Sequence, residues 1–443
     1  PVLDGDPRVR EVHDADRGRG HGEDLMRAIG VIDGEHYAPV VRDALAGLPY
    51  EFAGVWLAGG TEKLRGGDDY GVPVVESLEA AVAELEPELV VDLSDEPVLG
   101  PRERFRVASR VLALGLPYVG PDFRFDPPEL APFPRPSLSI VGTGKRVGKT
   151  AVTGHVARLL SRDRDVVVVA MGRGGPPEPE VAEVQPTVER LLELSREGRH
   201  AASDYLETAA LAGVVTIGCR RAGGGLAGAP GDTNVFAGAA LAAEREPELV
   251  IFDGSGAAIP PIDTDARLLV TSTAQPLEVV TGYLNAFRIL ISDLVVVTGG
   301  LDDELVEGIH RVKEVPVVPV ELRPRPARVV AGKRVAYFST APASAHEALE
   351  RHLREEHGAD VVLVSGNLAR RDALRDDLAR ADAEVYLVEI KAAAIDVVAE
   401  AALERSVEVV FADNELVPVG VHDLDTELVR LADAAIAREA VTP

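Results

Sequence analysis

Ser137-Leu-Ser-Ile-Val-Gly142-Thr-Gly-Lys-Arg-Val-Gly148-Lys149-Thr150-Ala-Val-Thr-Gly-His-Val-Ala is an apolar run, a glycine-containing loop and a helical pattern, in that order. Such a loop turns its N–H groups, together with the positive end of the following helix, toward phosphate oxygens. The candidate phosphate contacts are Gly142, Thr143, Gly144, Lys145, Arg146, Val147, Gly148, Lys149, Thr150 and Ala151. Lys149 is spaced to reach β/γ-phosphates of ATP, and the Thr150 hydroxyl to hold Mg²⁺. The alternative is a tight strand-to-helix turn with an incidental lysine. The strand before, the helix after and an aspartate downstream favour nucleotide.

The loop departs from the common spacing of Gly, four residues, then Gly-Lys-Ser/Thr. Thr143 stands where the glycine belongs, between Gly142 and Gly144. This variant resembles the phosphate loop of dethiobiotin synthetases and their relatives among P-loop enzymes. Lys145, inside the loop, is either a second catalytic cation on the transferring phosphoryl group or a solvated loop lysine. Only six of the 46 basic residues are lysines, which gives its position weight.

Downstream, Leu249-Val-Ile-Phe-Asp253-Gly-Ser-Gly256 is a buried-strand run ending in a carboxylate and small residues. Asp253 fits the role of a Walker B acid that holds Mg²⁺ directly or through water; the alternative is a turn or capping aspartate. Two more strand ends carry arginines among glycines. In Val166–Glu180 the stretch Met171-Gly-Arg173-Gly-Gly-Pro-Pro-Glu178-Pro-Glu180 presents Arg173, followed by two acids suited to a metal or to the start of a helix. In Val214–Gly228 the adjacent Arg220 and Arg221 precede three glycines, where both can converge on one polyanion or remain an ordinary surface pair. Cys219 reads as a small buried side chain, and Asp204-Tyr205 as a helix cap. Ligands of open parallel sheets bind outside the carboxyl edge, where all these ends lie.

Working outward, the chain has 443 residues, too many for one ordinary core, and 46% of them are hydrophobic. The net charge is −27, with 73 acidic against 46 basic residues, which speaks against binding the phosphate backbone of nucleic acid. The apolar runs are strand-sized, so no membrane span is expected. One cysteine builds neither a disulfide nor a cysteine zinc site, and the chain reads as cytoplasmic. Residues 1–24 have no apolar segment of the secretory kind and read as a flexible lead-in.

The fold class is α/β: a central nucleotide-binding parallel sheet flanked by Rossmann-like units. The expected parts are an N-terminal α/β domain over 25–126, a linker over 127–136, the phosphate-loop core over 137–325 and a C-terminal α/β region over 326–443. The linker rests on five prolines in the stretch Asp126–Pro136. Predicted strands include Ala28–Ile32, Phe52–Leu57, Leu138–Val141, Val166–Ala170, Leu249–Phe252, Val385–Val388 and Val409–Phe411, and predicted helices Ala38–Ala46, Leu78–Leu85 and Ala343–Glu356.

Four strings together resemble one family, cyclic 2,3-diphosphoglycerate synthetase: Val31-Ile-Asp33-Gly-Glu35-His36-Tyr37-Ala-Pro39-Val, the loop Gly142–Thr150, Ala170–Glu180, and Glu389-Ile-Lys391-Ala-Ala-Ala-Ile-Asp396-Val-Val398. The likeness spans nearly the whole chain from Arg27. It implies an ATP-dependent ligase that closes 2,3-diphosphoglycerate into its cyclic pyrophosphate with release of ADP and phosphate. Under it, Lys145, Lys149 and Asp253 are the catalytic candidates, and Arg173, Arg220 and Arg221 neutralise and align the substrate phosphates. Asp33, Glu35, His36 and Lys391 become substrate-binding candidates; otherwise the first three cap a helix and Lys391 pairs with a local carboxylate such as Glu389. ATP, Mg²⁺, a small phosphorylated substrate and a homodimer are implied.

The alternatives are a 2-phosphoglycerate kinase that stops at 2,3-diphosphoglycerate, a carboxylate-activating ligase of the dethiobiotin synthetase kind, and a nucleotide-dependent switch or metal chaperone. The last calls for a His/Cys cluster, and ten scattered histidines with one cysteine argue against it.

Overall fold

The computed structural model describes residues 25–61, 69–183, 185–199, 201, 203–390 and 394–439. Lys391 and the lead-in over 1–24 lie outside them. The chain forms two compact units, the first ending at Pro127 and the second beginning at Pro128.

In the first unit a parallel sheet is built on Arg27–Ile32, flanked by Glu51–Leu57 and Leu89–Asp92. Val31, Ile32 and Val55 are fully buried, as strands with helices on both faces require. The helix Leu78–Leu85 starts where Ser77 Oγ accepts the Ala80 N–H at 3.0 Å, and the helix Pro101–Ala113 starts at a proline that forfeits no hydrogen bond there.

The second unit is organised by one sheet of thirteen strands. Its parallel core runs, in spatial order, Val215–Ala222, Val166–Gly172, Leu249–Asp253, Ser137–Gly142, Ala266–Ser272, Leu294–Thr298 and Val317–Pro326. Nearly every residue of the central strands is buried, which is why they read as unbroken Val/Ile/Leu runs. The strand order reverses around Ser137–Gly142, so its carboxyl end opens where ligands of open sheets bind.

Val317–Pro326 crosses the boundary expected at 325 and pairs antiparallel with Glu408–Pro418, from Val320↔Pro418 to Pro326↔Ala412. Val385–Glu389, Arg334–Phe338 and Asp360–Ser365 then continue the same sheet in parallel. A single core joins Leu191, Leu194 and Tyr205 to Phe338, Tyr386 and Val388, so burial runs across 325/326 without a seam. The proline-rich stretch is docked: Ala131–Pro132 pairs with Ile262–Asp263, and Phe133 packs edge-on against Phe252 at 5.0 Å. Proline carbonyls still accept, so the prolines forbid a sheet interior but not a peripheral bridge.

Candidate functional site

The phosphate loop leaves the strand Ser137–Gly142 and enters the helix Lys149–Leu160. Its shape is set by contacts only glycine tolerates. Gly148 precedes the helix at φ +81°, and a methyl group there would sit 2.8 Å from Thr298 Cγ2; one on Gly142 would lie 2.7 Å from the Gly256 carbonyl oxygen. The loop is tied from behind. Thr143 N–H donates to Val270 O at 3.0 Å, Thr143 Oγ1 donates to Gln275 Oε1 at 2.5 Å, and Thr298 Oγ1 donates to Val147 O at 3.0 Å. Thr143, at the place of the missing glycine, is buried and works as an anchor rather than as an exposed ligand.

Lys149 Nζ lies 2.5 Å from Asp253 Oδ1, which also accepts Thr153 Oγ1 at 2.7 Å. Asp253 is 1% exposed, and its Oδ2 has no hydrogen-bond partner. Burial raises the Asp253 pKa, the Lys149 ammonium opposes that shift, and Asp204 adds to it. A buried carboxylate oxygen without a donor, next to a lysine and the first turn of a helix carrying Thr150, suits a hard cation. Among the described residues no group of three or more His, Cys, Asp or Glu is placed to hold a metal, so phosphate oxygens and water would complete such a shell.

The arginine loops gather beside this pair. Arg221 Nη2 donates to Ser255 O at 2.8 Å, and burial together with the Arg173 charge lowers its pKa. A methyl group built on Gly256 would meet Lys145 Cγ at 3.8 Å and Arg221 Nη2 at 3.9 Å, so these two cations flank one glycine of the loop after Asp253. Lys145, Arg173 and Arg220 are exposed, and neither they nor Arg221 has an ion pair with any described residue. In a chain of net −27, Lys145, Arg173 and Arg220, exposed and without ion pairs among the described residues, are available to an anion.

Arg220 and Arg221 are not equivalent. The Arg220 backbone is pinned by Asn234, whose Oδ1 accepts its N–H at 2.7 Å, and by Thr233 Oγ1, which donates to its carbonyl at 2.7 Å. Asn234 Nδ2 also donates to Pro176 O and Pro177 O at 3.2 and 3.0 Å, joining the Arg173 loop to the Arg220 strand. Gly175 packs on the Cys219 carbonyl and excludes any side chain. Cys219 is fully buried with its thiol pushed up to about 12, so it stays a thiol and serves packing.

Other candidates take local roles. Glu180 begins the short strand Glu180–Ala182 rather than a helix, and accepts the Tyr205 hydroxyl at 2.9 Å and the Arg199 guanidinium. In the first unit Asp33 is 1% exposed: Oδ1 accepts the N–H groups of Glu35 and His36 and meets His36 Nδ1 at 2.8 Å, while Oδ2 accepts Asp95 N–H at 2.8 Å. Both its oxygens are spent on shaping the turn that presents His36. Burial opposes ionisation of Asp33, but these donors and His36 outweigh it and lower its pKa.

Sequence reading took Asp204 for a helix cap only. It opens the helix Asp204–Ala212, yet its carboxylate approaches Gly172, where a methyl group would lie 3.2 Å from Oδ2, and it acts electrostatically on both Asp253 and Arg221. An acid in the first turn of a helix was the only signal, and the preference of Asp for helix starts masked it.

Against this geometry, family models cover the chain in three adjoining pieces: the cyclic 2,3-diphosphoglycerate synthetase N-terminal domain at 27–126, its P-loop domain at 137–325 and its C-terminal domain at 326–415. The chain belongs to the cyclic 2,3-diphosphoglycerate synthetase family. Family members of that name are similar over nearly their full length. That of Rubrobacter xylanophilus is 49% identical over 435 residues, 93% of this chain and 98% of the relative. That of Thermococcus kodakarensis is 43% identical over 436 residues, covering 94% and 100%. That of Methanothermus fervidus is 37% identical over 456 residues, covering 93% and 98%.

Proposed function

We propose that this chain is an ATP-dependent ligase that closes 2,3-diphosphoglycerate into cyclic 2,3-diphosphoglycerate, releasing ADP and phosphate. The observation that carries it is the convergence of Lys145 and Arg221 on Gly256 beside the buried Lys149–Asp253 pair, within a chain of this family. A nucleotide site and an anion site then share one loop. Transfer of the γ-phosphoryl group breaks the β–γ anhydride of ATP and makes a new anhydride on one substrate phosphate. An oxygen of the neighbouring substrate phosphate attacks the inner phosphorus, the ring anhydride forms, and inorganic phosphate leaves.

No protein nucleophile is required. The chain's task is to hold dianions within bonding distance, which asks for charge and alignment. Lys149 takes the triphosphate, exchanging Asp253 for phosphate oxygens. Thr150 and the freed Asp253 would hold Mg²⁺, which would supply charge neutralisation on the phosphates, and the Asp204 charge acts on Asp253 from beside it. Lys145, Arg173, Arg220 and Arg221 balance the substrate phosphates. Asp33 orders the turn that carries Glu35 and His36, and Lys391 is retained as a substrate candidate.

Phosphorus NMR of purified protein with MgATP and 2,3-diphosphoglycerate tests this. A new coupled anhydride signal with stoichiometric ADP and phosphate is expected. ATP consumption only with 2-phosphoglycerate would replace the ligase with a kinase, and no consumption with either would remove both.

A further inference from the structure

Arg288, in the short helix Asn285–Leu290, is a guanidinium 3% exposed with no ion pair to any described residue. Burial alone lowers its pKa, to about 10, and it stays a cation at neutral pH. A buried charge without a carboxylate is costly unless every donor is met. All five N–H donors are met. Nε and Nη2 both donate to Ala257 O, at 3.0 and 2.7 Å, and Nη2 also reaches Leu226 O at 3.1 Å. Nη1 donates to Leu284 O at 2.8 Å and Asn285 Oδ1 at 3.2 Å.

These acceptors belong to separate loops of the site. Ala257 lies in the loop after Asp253, whose neighbouring Ser255 carbonyl is taken by Arg221. Leu226 lies in the glycine-rich loop after Arg220 and Arg221, and that loop is further joined to the first by Ile259 N–H donating to Gly228 O at 2.8 Å. Asn285, oriented by Arg288, donates from Nδ2 to Thr143 O in the phosphate loop at 3.2 Å. A planar fork of five donors spans three chain segments where a lysine offers one compact ammonium.

We propose that Arg288 is a positioning residue that couples the phosphate loop, the loop after Asp253 and the glycine-rich arginine loop, so that a nucleotide seated at Lys149 fixes the substrate arginine Arg221. It touches neither nucleotide nor substrate. This rests on the ligase reading only for its catalytic readout. The coupling itself is physical and is read without turnover.

The test is hydrogen exchange and kinetics on the full chain, wild type against Arg288→Lys, with folding checked by thermal melting. In wild type, magnesium with a non-hydrolysable ATP analogue is expected to slow exchange at least fivefold at 142–150 and also at 223–228. In Arg288→Lys the slowing at 142–150 stays and that at 223–228 is lost. The variant's kcat falls at least tenfold while the analogue Kd changes less than threefold. Loss of coupling at 223–228 in wild type overturns the proposal even if no variant folds. Retention of that slowing in Arg288→Lys overturns it too, as does a kcat that falls only in step with Kd. If the exchange pattern holds while wild type forms no cyclic anhydride, the coupling stands and the ligase reading fails.

Discussion

At the residue scale the site turns on a buried ion pair with a spare oxygen. Lys149 and Asp253 are both nearly inaccessible, so removing one strands the other in a low-dielectric setting. Lys149→Ala is expected to abolish ATP turnover and to cost about 3–5 kcal/mol of stability, the usual penalty for breaking a buried pair. Adding Asp253→Asn should restore most of the melting temperature and none of the activity. A double variant as unstable as the single one would show that the pair is not electrostatically coupled. The strand, loop and helix that carry 149 and 150, and the buried strand that ends at 253, were legible from residue type and spacing. Asp204 and Arg288 were not legible, since a helix-opening Asp and a helical Arg are commonplace in sequence and acquire meaning only from what approaches them.

At the scale of elements, strand ends and their loops separate two arginines that sequence treats alike. Arg221 is held against Ser255 O beside Gly256, whereas Arg220 is exposed with only its backbone pinned. Arg221→Ala is therefore expected to raise the 2,3-diphosphoglycerate KM about tenfold or more, consistent with losing a charge-assisted contact worth about 1.5–3 kcal/mol. Arg220→Ala should change it about threefold or less, with stronger dependence on ionic strength because an exposed charge is screened. Initial-rate kinetics at two salt concentrations decide this, and equal effects would erase the distinction. The strands themselves were readable as apolar runs, such as Val166–Ala170, since burial on both faces leaves no polar alternation. The antiparallel extension of Val317–Pro326 along Glu408–Pro418 was not, because its prolines and charges look like a boundary; its partner lies about ninety residues away and the pairing is carried by backbone groups.

At the scale of the molecule, the sheet carries the phosphate-loop strands and the C-terminal strands as one body. Cutting the chain at 325 exposes an edge and half of a shared core that includes Phe338 and Tyr386 on one side and Leu191 and Tyr205 on the other. A 137–325 fragment is expected to aggregate or melt without a cooperative transition. A 128–443 fragment, which respects the compact unit, is expected to fold and bind an ATP analogue. Calorimetry of both fragments checks this, and a cooperative 137–325 fragment would show that the C-terminal strands are dispensable to the core.

What the sequence determined by itself is the local chemistry and its order: an apolar strand, a glycine-bearing loop, a lysine and threonine at a helix start, an acid at another strand end, and the family strings around them. These depend on neighbours within a few residues, where backbone geometry and residue type suffice. Only the tertiary structure decided which distant loops meet: Arg221 and Lys145 at Gly256, the Asp204 charge acting on Asp253, Arg288 with Asn285 across three loops, and the phosphate-loop and C-terminal regions sharing one sheet. Those pairings are set by which strands lie next to each other and, for Arg288, by a burial in which every donor is met. No local pattern encodes that.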